Sequence, residues 1–157
     1  MGITVDTSQL DAFRARIENL NTTQKEAFFD GACKEMAGRY LALVIPATPV
    51  GASSQGADGK TNHEGGTLRR GWSLNNVAYG QSGNGYTATV SNPTEYASYV
   101  EYGHRQTPGR YVPAIGKRLV NTWVEGQFFV KTSEEALEKE APSVLNLMLD
   151  NFIRQGF

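Results

Sequence analysis

The sequence predicts an α+β domain: an antiparallel sheet of about four strands packed by a long helix from the N-terminal half, with one helix before it and another at the C-terminus. Three observations predict it. Apolar residues recur at helical spacing over 23–45 and again over 132–152. Tyr86, Ala88 and Val90 alternate with Thr87 and Thr89, as strands do. Prolines and glycines stand between these stretches as punctuation. A chain of 157 residues can bury a core without disulfides or metal, and it reads as one domain over 1–157 with a long glycine-rich loop at 46–67.

At the N-terminus Asp6 precedes Gln9 by three residues, and Leu10, Phe13, Ile17 and Leu20 follow. This is a capping-box start with an apolar stripe behind it, and it predicts a helix from Thr7 to Leu20. Thr23 and Glu26 repeat the signal ahead of Phe29, Cys33, Met36, Tyr40, Leu43 and Val44. The second helix should run to Ile45, a length of roughly 35 Å at about 1.5 Å per residue. Pro46 and Pro49 forbid its continuation. From Pro46 to Thr67 glycines are frequent, apolar residues few and periodicity absent, which predicts a loop. Loops of that length inside compact domains are functional or disordered. Two readings stand: a mobile surface loop that tolerates insertion, or a segment that orders only against another subunit.

Leu68, Arg70, Trp72 and Leu74 share one face under strand alternation, whereas Val77 and Tyr79 take the opposite parity. A bulge near Asn75-Asn76 would produce that change, so the stretch from Leu68 to Ser91 reads as a hairpin turning at Gly80–Gly85. Asn92-Pro93 stops the second strand. Thr94 can cap a short helix with Tyr96, Tyr99 and Val100 on one side, and Gly103 is suited to close it in the left-handed conformation. His104 to Pro113 reads as a loop, Leu119–Val124 and Gln127–Val130 as two strands. Thr132 with Glu135 opens the last helix, whose face carries Leu137, Ala141, Leu145, Met148 and Phe152. Pro142 should kink this helix without dividing it, because the stripe keeps its phase.

The net charge of −1, with both signs distributed along the chain, gives no global field for nucleic acid or acidic membranes. No apolar run is long enough for a membrane span, and no leader-like segment opens the chain. The single cysteine, Cys33, cannot pair within the chain, so folding in a reducing cytoplasm is expected. On the apolar side of a helix it should behave as an inert small hydrophobe. His63 and His104 lack metal-ligand spacing, and the glycines do not form a phosphate loop between strand and helix. Neither metal nor cofactor is expected. Glu95, Glu101 and His104 could serve as acid and base, but nothing positions a nucleophile, so an enzyme is not expected. Arg69, Arg70 and Trp72 form a basic-aromatic group for which the alternative function is a small nucleic-acid-binding module. The blander reading is a solvated arginine beside a core tryptophan. Lys117 and Arg118 carry little weight, because neighbours on a strand point to opposite faces. The tyrosines at 96, 99 and 102 either cover a sheet or form a partner-binding surface.

Thr48-Pro49-Val50, then Gly66-Thr67-Leu68-Arg69-Arg70-Gly71-Trp72, and after the hairpin Tyr96-Ala97-Ser98-Tyr99-Val100-Glu101-Tyr102-Gly103, appear in this order. The pattern resembles the tail-completion or head-tail joining (neck) proteins of tailed bacteriophages and phage-tail-like particles. In that family a proline-valine step leads almost directly into Thr-Gly-x-Leu-Arg, and Tyr-Ala-x-Tyr-Val-Glu-x-Gly follows later. The insertion between Val50 and Gly66 departs from the pattern. Gly103-His104-Arg105 and the 123–135 region look like the branch found in contractile-tailed phages and defective prophage particles. The resemblance implies a structural virion protein, without cofactor or membrane, that forms a homo-oligomeric, hexameric ring at the neck or head-proximal end of the tail. Its implied partners are sister copies, a head connector or stopper protein, and tail tube, sheath or terminator proteins. Viral DNA would pass through the lumen without specific binding, and assembly would occur in the host cytoplasm. On the matching motifs, the candidate interface residues are Thr67, Leu68, Arg69, Arg70, Trp72, Tyr96, Tyr99, Glu101, Tyr102, His104 and Arg105.

Overall fold

A computed structural model describes residues 22–51, 54–55, 61–63, 65–79, 86–113 and 116–155. The expected helix over 7–20 and the turn over 80–85 lie outside the described residues. Helix α1 spans Thr22–Ala47, so Thr23, expected as its cap, lies inside it. It runs two residues past the expected stop at Ile45, with Pro46 inside its last turn. Thr48 explains how that turn closes: its backbone N–H and its Oγ1 both donate to the Val44 carbonyl, at 2.9 and 2.6 Å.

The stretch expected to be a bare loop contains a small antiparallel ladder, β1 (Ser54–Gln55) with β2 (Thr61–His63). Strands of this length are too short to show a period in sequence. A second departure follows at once. Thr67–Arg70 is a helical turn, α2, and not the start of a strand. Gly66 enters it at φ 89°, a conformation that costs glycine little, and reverses the chain where alternation suggested extension. The hairpin proper is β3 (Ser73–Tyr79) against β4 (Tyr86–Ser91), with its register shift between Leu74 and Asn76, where the parity change indicates a bulge. It packs on α1.

Helix α3 (Ala97–Tyr102) follows Asn92-Pro93. Thr94 does not cap it through its side chain; instead its carbonyl accepts from Ala97 N–H at 3.0 Å. Gly103 has φ 83° but ψ 171°, so it turns directly into strand β5 (Gly103–Arg105) and does not close the helix in the left-handed well. From β5 the chain forms one long antiparallel arm where a loop was expected. β5 pairs with β8 (Trp123–Glu125), and β6 (Tyr111–Val112) pairs with β7 (Lys117–Arg118). Bonds from Gln106 N–H to Thr122 O (2.9 Å), Gly109 N–H to Leu119 O (2.8 Å) and Leu119 N–H to Arg110 O (2.9 Å) connect the two ladders. The strand expected at 127–130 does not form. Helix α4 (Phe129–Gln155) begins there, ahead of Thr132, and continues unbroken through Pro142.

The architecture is α+β, as the sequence predicts, but among the described residues the strands form four two-stranded ladders instead of one sheet. The two long helices pack on each other, and Arg39 of α1 joins Glu35 at 2.8 Å and Glu140 of α4 at 3.1 Å. Val44, Leu68 and Phe129 form the buried centre, with Tyr40, Trp72, Val100 and Val130 packed around it. Trp72 meets the edges of Tyr40 and Phe129 at centroid distances of 6.3 and 6.4 Å, a favoured aromatic geometry. Burying Val44, Leu68 and Phe129 contributes about 6 kcal/mol, at about 2 kcal/mol each.

Candidate functional site

Each matching motif forms a staple at the end of a long helix. At the C-terminus of α1 the last carbonyls lack intrahelical donors and carry the negative end of the helix dipole. Arg69 of α2 answers two carbonyls at this end: Nε and Nη2 donate to Thr48 O at 2.9 and 2.6 Å, and Nη2 also reaches Pro46 O at 3.1 Å. The indole Nε1 of Trp72 donates to Thr48 Oγ1 at 2.8 Å. Thr48 is fully buried, so its hydroxyl both accepts and donates without help from solvent. Asn92 completes this end. Its Nδ2 donates to Leu68 O at 2.6 Å, and its Oδ1 accepts from Thr94 N–H at 3.1 Å.

The second staple works with opposite charge. Glu101 is only 3% exposed, and its carboxylate accepts from the N–H groups of Val130 (2.9 Å) and Lys131 (3.1 Å) in the first turn of α4. A carboxylate at that position faces the positive end of the helix dipole. The backbone reinforces it: Gln127 N–H donates to Val100 O at 2.9 Å and Phe128 N–H to Glu101 O at 3.1 Å. Gly103 and Gly126 allow this approach. A Cβ on Gly103 would lie 2.9 Å from Gly126 N, and one on Gly126 would lie 2.9 Å from Gly103 N.

Between the two staples lies a groove of about 860 Å³, lined by Val50, Leu68, Tyr96, Val100, Val112 and Gln127. Both motifs thus contribute residues to one groove. The candidate interface residues divide there. Leu68 and Glu101 are buried within the chain, Arg69 and Trp72 are half-buried and hydrogen-bonded to the end of α1, and Arg70 donates to Gly65 O at 3.3 Å. Thr67, Tyr96, Tyr99, Tyr102 and Arg105 are exposed. Tyr99 and Tyr102 are 58% and 64% exposed, too much for rings that merely cover a sheet. His104 is half-buried, with the Tyr99 ring edge-on at 5.8 Å.

A Glu101–His104 acid–base pair is not assembled, since both Glu101 oxygens face α4. His104 has Nε2 3.4 Å from Gln106 Nε2, and its Nδ1 is buried with no partner among the described residues. The Cys33 thiol is pushed up in pKa by burial and then by Asp30, away from reactivity. Tyr40 is pushed up to about 12, first by burial and then by Glu134 and Glu101. Among the described residues no cluster of histidine, cysteine and carboxylate side chains could hold a metal ion, and no helix is long and apolar enough to cross a membrane. Sequence reasoning missed Thr48 and Asn92 as functional centres of the first staple. The Asn-Pro dipeptide marked Asn92 only as a strand stop, because its partners lie far along the chain.

These features define a protein whose signature residues brace two long helices while rings and grooves face outward. The family model described as "Bacteriophage HK97-gp10, putative tail-component" matches residues 11–103, more than half of the chain. The chain belongs to this HK97-gp10-like family of bacteriophage tail components, and it is a virion protein on that ground. No curated protein and no solved structure matches it.

Proposed function

We propose that the chain is a structural subunit of the phage neck: one domain whose copies close into a hexameric ring at the head-proximal end of the tail. The ring joins the tail tube, with its sheath or terminator, to a head connector or stopper protein, and viral DNA passes through the lumen. The observation that carries this reading is the exposure of large apolar groups on a braced scaffold. Tyr99, Tyr102, Trp123 and Phe128 surround the Glu101 staple, each at least 44% exposed. Exposed rings clustered on a rigid element mark protein interfaces, and Glu101 fixes that element to α4. Family membership supports the placement in the tail. A module that grips nucleic acid through Arg69 and Trp72 fits less well, because both side chains are spent on Thr48. Chain assembly in the host cytoplasm, followed by docking onto the finished tail, completes the proposal. Mass photometry of the purified protein tests it: a discrete species of about six chains is expected for a closed cyclic assembly. A monomer at every concentration, or an open-ended distribution of polymers, would overturn it.

A further inference from the structure

The arm over 103–125 begins where the family match ends, and its composition differs from the body it leaves. From Tyr102 to Val124 there is no aspartate or glutamate, while Arg105, Arg110, Lys117 and Arg118 all lie there. Arg118 donates to Gly109 O at 2.7 Å within the arm. Arg105, Arg110 and Lys117 are exposed, and among the described residues none of them forms an ion pair. Interleaved with these cations are apolar groups turned to solvent: Tyr111 is 52%, Val120 83% and Trp123 44% exposed. A two-stranded ribbon with this surface is only marginally stable in water without a partner.

The matching surface lies on the same chain, away from the arm. Between α1, β4 and α4 runs an open apolar groove of about 680 Å³, lined among others by Phe29, Met36, Tyr86 and Leu145. Glu134 stands in its wall, and Glu138 follows one helical turn later. Neither carboxylate has an ion-pair partner among the described residues. We propose that the basic arm of one copy lies across this acidic, apolar groove of the next copy, forming the repeated joint of the ring. The proposal rests on the ring reading above. One surface meeting a different one makes a heterologous contact, which is the type that closes by rotation. The arm's rings then leave water, and its cations meet Glu134 and Glu138. Duplex DNA would satisfy the cations but leave Val120 and Tyr111 without an apolar partner, so a second copy fits better.

Charge exchange tests this directly. Arg105→Glu/Arg110→Glu/Lys117→Glu should weaken assembly at least tenfold in mass photometry, as should Glu134→Lys/Glu138→Lys. A chain carrying both sets should regain the ring, because the signs are again complementary. All five positions are exposed, so the helical circular dichroism should not change. A second measurement uses the groove wall: in a Cys33→Ser background, chains carrying Val120→Cys should crosslink through a short bismaleimide to chains carrying Leu145→Cys, a groove position 37% exposed, and no crosslink between them would overturn the joint. If the arm-reversed chain still forms the ring, the arm is not the joint, although the ring reading survives. Arm reversal that leaves the ring intact but removes low-salt DNA binding would assign the arm to phosphate and overturn the proposal. A wild-type chain that never assembles removes both readings.

Discussion

Replacing Glu101 by alanine tests the second staple most sharply. The carboxylate is buried and accepts two N–H groups at the start of α4, 2.9 and 3.1 Å away. Alanine leaves both donors without their acceptor in a site that water does not readily enter. Hydrogen bonds to a charged group are worth about 1.5–3 kcal/mol, and loss of a helix cap alone costs about 1 kcal/mol. Because the two bonds share one carboxylate and are not additive, we expect a loss of about 3 kcal/mol for Glu101→Ala. For a domain of this size that corresponds to a fall in Tm of about 6–12 °C. Glu101→Gln keeps one acceptor oxygen and loses the charge, so about half of the loss is expected. Urea denaturation followed by circular dichroism, at fixed protein concentration, measures both. An alanine variant within about 0.5 kcal/mol of wild type would refute the staple, since ordinary surface substitutions fall in that range.

Arg69→Ala should destabilise by about 2 kcal/mol in the same assay, and Arg69→Lys should recover less than half, because an ammonium cannot reproduce the fork to Thr48 O and Pro46 O. Thr48→Val preserves shape but leaves the indole N–H of Trp72 unsatisfied; a loss of about 1–3 kcal/mol is expected, with altered tryptophan emission. Gly126→Ala should be among the most damaging single changes, because its Cβ would enter the backbone around Tyr102 and Gly103, and soluble yield with Tm reports it. Tyr40 supplies a pH dependence. Its folded pKa of about 12 exceeds the usual 10.0, so above pH 10 the unfolded chain loses this proton first. Stability should therefore fall between pH 10 and 12; partial exposure limits the effect to about 1 kcal/mol, and Tyr40→Phe should remove it.

Features set by neighbours in sequence were legible. The parity change at Asn75-Asn76 located the bulge, and Asn92-Pro93 ended β4 at Ser91. What depended on distant partners was not. Helix α4 starts at Phe129 instead of Thr132 because its cap comes from Glu101, on another element. Leu68 and Arg70 alternate like strand residues, yet the demand of the α1 carbonyls for Arg69 holds them in a helical turn. The arm was hidden for another reason: its paired segments are too short and too broken by proline and glycine to show a period, so only its cross-strand bonds reveal it. Of the site, the motifs identified which residues matter. Their chemistry divides differently from the expectation, with Arg69, Trp72 and Glu101 turned inward and the tyrosines outward.

Electron cryo-microscopy of purified tails carrying this chain tests the neck assignment most directly. A single closed ring of this subunit at the head-proximal end of the tube is the expected result. Density for the chain along the length of the tail, or finished tails that lack it at that end, would contradict the account.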